Sequence, residues 1–83
     1  MQKDRVPAAE RAYDYLKRRI IEDAVDESEM LSEAALAAEL GMSRTPVREA
    51  FLRLEVEGFL KLYPKRGALV VPISPRDIRE VYE

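Results

Sequence analysis

The sequence predicts a mainly α-helical domain in which three short helices form the core and one small β-hairpin follows them. Three observations predict it. Apolar residues recur at helical spacing in three separate segments before Leu54. The period changes from helical to two after Gly58. Between the second and third helical segments stands only Gly41-Met42-Ser43, a turn so short that the two helices must cross closely. A chain of 83 residues has room for one such domain and one small core.

Residues 1–7 are polar with one proline and form a lead-in to the domain of residues 8–73. From Ala8, the positions Ala9, Ala12, Tyr13, Leu16 and Ile20 follow the rhythm of a helix with one buried stripe, which should stop near Asp23. Lys17, Arg18 and Arg19 lie off that stripe, as a solvated basic turn or within reach of phosphates. Residues 24–31 are an acidic connection that closes on Met30 and Leu31, both expected to dip into the core. Ser32 is the N-cap of the second helix, with Glu33 well placed against the helix dipole. That helix runs to about Leu40 and buries Leu36, Ala37 and Leu40. Gly41 permits the positive φ of a helix stop, and small Ala37 permits a close crossing.

The third helix is expected over about residues 44–57. Ser43 or Thr45 can accept N–H groups at its start, and Pro46 falls in the first turn, where a proline costs no hydrogen bond. Val47, Ala50, Phe51 and Leu54 form its buried face, and Gly58 ends it. Phe59–Tyr63 is then a strand, Pro64-Lys65-Arg66-Gly67 a turn, and Ala68–Ile73 a second strand. In residues 74–83, Ser74 caps, Pro75 takes the first helical position, and Ile78, Val81 and Tyr82 repeat at helical spacing. The helix they begin is truncated after about two turns, too short to be stable alone.

Two helices about a glycine turn, followed directly by a hairpin, make a winged helix-turn-helix. What the buried faces leave over on the third helix is Arg44, Thr45 and Arg48, at its positively polarised N-terminal end. That end is the one that enters a DNA major groove. The hairpin gives Lys65 and Arg66 a route to a neighbouring groove or to its phosphates. Taken singly, a glycine turn between helices, two arginines on a helix and a polar hairpin tip also occur in helical domains that bind no nucleic acid. Their order along one chain is what carries the reading.

A formal net charge of −2 conceals a strong segregation of charge. Residues 1–21 sum to +3, residues 22–40 to −7 with no basic side chain, residues 41–66 to +3, and residues 67–83 to −1. A phosphate-facing side needs local positive potential, whatever the total. The acidic block serves as a solvated connection as well. Histidine and cysteine are both absent, which leaves no disulfide framework, zinc finger or histidine-based acid–base site, and no cofactor is expected in this chain. No acidic loop has the spacing of a calcium site, and no catalytic constellation is present. No hydrophobic signal core precedes the first helix, so a cytoplasmic location is expected.

From Ala12 to Ser74 the sequence resembles the DNA-binding domain of the GntR family of bacterial transcription regulators. The residues that carry the resemblance are Tyr13-x-x-Leu16, Ile20-Ile21, Leu31-Ser32-Glu33, Leu36-Ala37, Leu40 through Ala50, Arg53-Leu54-Glu55-x-Glu57-Gly58 and Arg66-Gly67-Ala68-x-Val70. The run SRTPVREA followed by RLE and EG is highly specific. The resemblance is closest to the FadR-type branch, whose members carry an all-helical effector domain, and SPRDIREVYE is similar to the start of that domain. It implies that the residues matching Arg44, Thr45 and Arg48 contact the operator and that Gly67 lies at the wing tip. The expected DNA-binding set is therefore Ser43, Arg44, Thr45, Arg48, Lys65, Arg66 and Gly67. The implied partners are a double-stranded DNA operator, a second copy joined through a C-terminal domain, and a small-molecule effector on that domain. Two departures stand out. Many members place a DNA-touching arginine where this chain has Ala34, and a Gly- and Pro-rich turn where it has Asp23 and Asp26-Glu27-Ser28. A winged helix used as a protein–protein module is the alternative that net acidity and Ala34 would suit. A branch fused to an aminotransferase-like domain is disfavoured by the SPRDIREVYE tail.

Overall fold

The computed structural model describes residues 6–22, 25, 26 and 28–71. They form α1 (Ala8–Ile21), α2 (Glu33–Leu40), α3 (Arg44–Val56), β1 (Leu60–Tyr63) and β2 (Gly67–Val70). Three helices and one antiparallel hairpin are the expected architecture. The truncated helix expected from Ser74 and the first five residues of the lead-in lie outside the described residues.

The stripe of α1 buries Ala12, Tyr13, Leu16 and Ile20, as its spacing requires. The face of α3 opposite it buries Val47, Ala50, Phe51 and Leu54, and these two helices form the main packing interface of the core. α2 adds Leu36 and Ala37, with Leu40 half-buried. The stops of α2 and α3 come from glycine. At the end of α2, Gly41 has φ +70°, Met42 N–H donates to Ala37 O at 3.0 Å, and Gly41 N–H donates to Ala38 O at 3.3 Å. At the end of α3, Gly58 has φ +90°, Phe59 N–H donates to Leu54 O at 2.9 Å, and Gly58 N–H donates to Glu55 O at 3.0 Å. Each is a Schellman stop, which satisfies the last carbonyls and turns the chain sharply into the next element.

The N-termini differ. Ser32 caps α2, its Oγ accepting from Ala35 N–H at 3.2 Å. Ser43 holds the N-cap backbone of α3, but its hydroxyl accepts no N–H, and Thr45 falls past the cap, at the second helical position. The physical reason is in the sequence: the third helical position, which supplies the donor in α2, is Pro46 in α3 and has no N–H.

In the hairpin, Leu60 pairs with Val70, Lys61 with Leu69, Leu62 with Ala68 and Tyr63 with Gly67. Leu60, Leu62, Ala68 and Val70 thus share the inner face. The strands are shorter than expected: Phe59 belongs to the helix stop, β2 ends at Val70, and residues 72 and 73 lie outside the described residues. A third segment joins this sheet. Leu31 N–H donates to Ala68 O at 2.7 Å and Ala68 N–H donates to Leu31 O at 2.9 Å, a one-residue bridge. Leu31 packs against the core as expected, whereas Met30 is exposed, because adjacent residues of an extended segment point to opposite sides. Val25 is the unexpected core residue, buried from within the acidic connection.

Candidate nucleic-acid interface

Arg44 and Arg48 stand one turn apart at the start of α3, and their side chains remain 69% and 67% exposed. The Schellman stop of α2 and the proline in the first turn fix this helix start, so both guanidiniums project from a rigid element. The wing tip approaches them. Arg66 N–H donates to Tyr63 O at 3.0 Å, Pro64 supplies the first corner, and Lys65 takes the second at φ +64°. Between α3, the wing and the start of α2 lies a cleft of about 720 Å³. Arg44, Arg48, Lys65, Arg66 and Gly67 all line it, and Ser43 and Thr45 do not, although both are exposed beside it. Ala34 lines the opposite wall with a methyl group where an arginine would add a cation.

Acidic residues also line this cleft. Glu33, on the first turn of α2, puts one carboxylate oxygen 3.7 Å from Arg44 Nη2 and the other 3.8 Å from Arg48 Nη1. Glu55 accepts the Leu62 N–H at 3.0 Å, which brackets the wing against α3 and occupies a donor on its outer strand. Glu49, exposed on α3, is not part of the cleft lining. The cleft therefore carries four basic side chains against two acidic ones, and both acidic groups are engaged.

Gly67 is half-buried and holds the wing. With φ +131°, it passes so near the 30–31 segment that a Cβ there would lie 2.2 Å from Leu31 O. Only glycine permits that approach.

The basic turn of α1 faces elsewhere. Lys17 Nζ donates to Tyr13 Oη at 3.0 Å and lies 3.9 Å from Glu57, and the hydrogen bond to the Tyr13 hydroxyl raises its pKa above the ordinary lysine value. Tyr13 Oη donates in turn to Glu57 at 2.5 Å, and Arg53 stacks 3.8 Å over the Tyr13 ring. Arg19 lies 3.6 Å from Glu39, which also accepts from Tyr15 Oη. These groups tie α1 to its neighbours. Glu33 as an arginine partner and Glu55 as a bracket were not legible as site residues; the only signal for Glu33 was its place at a helix N-terminus.

Comparison with known proteins adds the family. The profile described as bacterial regulatory proteins, gntR family, matches residues 8–70. An uncharacterised HTH-type transcriptional regulator of Agrobacterium vitis is 39% identical over 72 residues, covering 87% of this chain and 42% of that protein. The HTH-type transcriptional repressor RspR of Escherichia coli K12 is 34% identical over 73 residues, covering 88% of this chain and 32% of that one. Among solved structures, E. coli McbR/YncC superposes with a TM-score of 0.80 at 32% identity, over 93% of this chain and 36% of its own. The chain thus spans about two fifths or less of the length of these relatives.

Proposed function

The chain belongs to the gntR family of bacterial regulatory proteins, and on that premise we propose that it binds an operator with α3 in the major groove and the wing tip, residues 64–67, on an adjacent groove or the backbone. The observation that carries the proposal is the convergence of Arg44, Arg48, Lys65 and Arg66 on one cleft. Arginine forks suit guanine O6 and N7, so Arg44 and Arg48 read bases or grip the phosphates beside them. Thr45 and Ser43, with exposed hydroxyls and backbone at the α3 N-terminus, suit phosphate oxygens. Lys65 and Arg66 are backbone or minor-groove contacts. Gly67 holds the wing at the angle that brings them there.

Further parts of the proposal concern the whole protein. The residues beyond Val71 lead into an all-helical effector domain of the FadR-type branch, which dimerises, takes a small-molecule effector and sets two copies of this domain on a two-fold symmetric site. What supports it is the likeness of SPRDIREVYE to the start of such a domain. The regulator acts in the cytoplasm, and among the described residues no helix is long and apolar enough to cross a membrane. RspR is named a repressor, which supports repression as the mode of action. A winged helix serving as a protein–protein module is the competing use, and Glu33 between the arginines is the observation that favours it.

The test is selection of duplexes from a random pool with the 83-residue chain, followed by anisotropy titrations of Arg48→Ala and Lys65→Ala. Arg48→Ala should cost about 1–3 kcal/mol on the selected duplex and flatten its sequence preference, whereas Lys65→Ala weakens all duplexes alike. Equal losses on selected and random DNA for Arg48→Ala would reassign that residue to phosphate. No enrichment and no salt-sensitive binding would favour the protein partner.

A further inference from the structure

We propose that Glu33 is a positioning and specificity-determining residue of this interface: it holds Arg44 and Arg48 as one unit in the free domain and penalises binding to phosphate alone. The inference rests on the DNA-binding reading of the cleft. Two like charges at i and i+4 on a helix repel and splay, and here a single carboxylate stands against both, one oxygen to each, at 3.7 and 3.8 Å. The contrast in exposure gives the pair its direction. The Glu33 side chain is only 16% exposed while the two arginine side chains are 69% and 67% exposed, so the anion is recessed and the cations reach outward from it. Glu33 cannot follow them. It sits on the first turn of α2, one residue after the Ser32 cap and two after the Leu31–Ala68 bridge, and the helix dipole favours its charge there.

Two kinds of DNA contact meet this arrangement differently. A guanidinium has five donors in a fixed fork, so an outer edge can take guanine O6 and N7 while an inner N–H still faces Glu33. A phosphate seated between the arginines instead brings a second anion to within several ångströms of the recessed carboxylate. The effect expected from one such charge near a protein surface is roughly threefold to tenfold in affinity for DNA bound through phosphates. Glu33 therefore trades general affinity for discrimination.

The experiment compares dissociation constants for the selected duplex and a random duplex at one ionic strength, for the wild-type chain, Glu33→Gln and Glu33→Asp. Glu33→Gln should bind the random duplex roughly threefold to tenfold more tightly with no such gain on the selected one, so the ratio between them shrinks. Glu33→Asp keeps the charge but is one methylene too short to span both arginines. It should leave the random-duplex constant unchanged and lower discrimination through the selected duplex only. In an Arg44→Ala/Arg48→Ala background, Glu33→Gln should no longer alter the ratio, and thermal melts monitor folding throughout. An unchanged ratio in Glu33→Gln, or an equal loss on both duplexes, overturns the proposal, since a purely structural glutamate would act on both alike. If the wild-type chain binds neither duplex, it is the DNA-binding reading itself that fails.

Discussion

Gly67→Ala should be the most damaging single-methyl substitution in the wing. The added Cβ would lie 2.2 Å from Leu31 O and 3.1 Å from Met30 Cγ, at a backbone φ of +131°. The first contact is with backbone, which cannot rotate aside as a side chain can. The 30–31 segment must therefore move, and the reciprocal hydrogen bonds of 2.7 and 2.9 Å between Leu31 and Ala68 open with it. Holding alanine in this sparsely populated region costs about 1–3 kcal/mol, and two net backbone hydrogen bonds are worth about 0.5–1.5 kcal/mol each. The sum is about 2–6 kcal/mol, against a total stability of roughly 4–12 kcal/mol for a chain of 83 residues. Gly41→Ala is the control, because φ is +70° there but nothing lies within 4 Å of the added methyl. It should cost only the backbone strain, about 1–2 kcal/mol. Urea denaturation followed by far-ultraviolet circular dichroism measures both. If Gly67→Ala loses no more stability than Gly41→Ala, the close packing of the wing on the 30–31 segment is refuted.

The remaining expectations can each be checked on the same chain. DNA binding should weaken steeply with salt, with a log–log slope of roughly −4 to −5 for about four to six neutralised phosphates per domain, and a slope near zero in an anisotropy series would remove the phosphate role of the cleft. Asp26 accepts from the backbone N–H and the hydroxyl of Ser28, both at 2.8 Å, and these bonds hold its pKa below the ordinary 3.8. Since the folded value is depressed, its contribution to stability is present above 3.8 and fades as the pH falls through the folded pKa. Ser28→Ala should raise the Asp26 pKa part of the way in a carboxyl NMR titration, since the larger cause, the backbone N–H, remains, and no movement would deny the Ser28 hydroxyl its share. The stripes of the three helices and the inner hairpin face are consumed by one core, so the 83-residue chain should sediment as a monomer at micromolar concentration. A stable dimer without DNA would show that the symmetry is built within these residues.

Periodicity made the helices legible, and the two glycine stops made their ends so, because both signals are local. The convergence of Arg44 and Arg48 with Lys65 and Arg66 was legible for a different reason: a hairpin that follows a helix-turn-helix directly has few places to go. What stayed hidden depends on distances across the fold. The pairing of Glu33 with both arginines is set by the crossing of α2 and α3, and its place at a helix N-terminus already accounted for a glutamate there. Gly67 reads as a turn glycine until Leu31 is known to bridge Ala68. Val25 has only Ile21 at helical spacing, and Ile21 is itself exposed, so the burial of Val25 continues no stripe; Met30 and Leu31 differ in burial because they are adjacent residues of an extended segment.

A chain with a net charge of −2 can present a basic edge because its charges are distributed unevenly over the fold. Some cations away from the cleft have internal partners, Lys17 and Arg53 sharing Glu57 and Arg19 meeting Glu39, whereas Arg11, Arg18 and Lys61 have none among the described residues. The Lys17 and Arg19 pairs join α1 to the end of α3 and to α2. At the cleft four cations stand against two carboxylates. Lys65 and Arg66 have no ion-pair partner among the described residues, and the one carboxylate facing Arg44 and Arg48 is recessed behind them. The acidic connection between α1 and α2 contributes Glu29 and the Ser28-bound Asp26 to the exposed surface outside this lining. Net charge governs solubility and long-range approach, whereas close docking responds to the potential within about a Debye length of roughly 8–10 Å. At that range the docking partner meets four cations, a recessed Glu33 and a Glu55 engaged by the wing, not the sum over the chain.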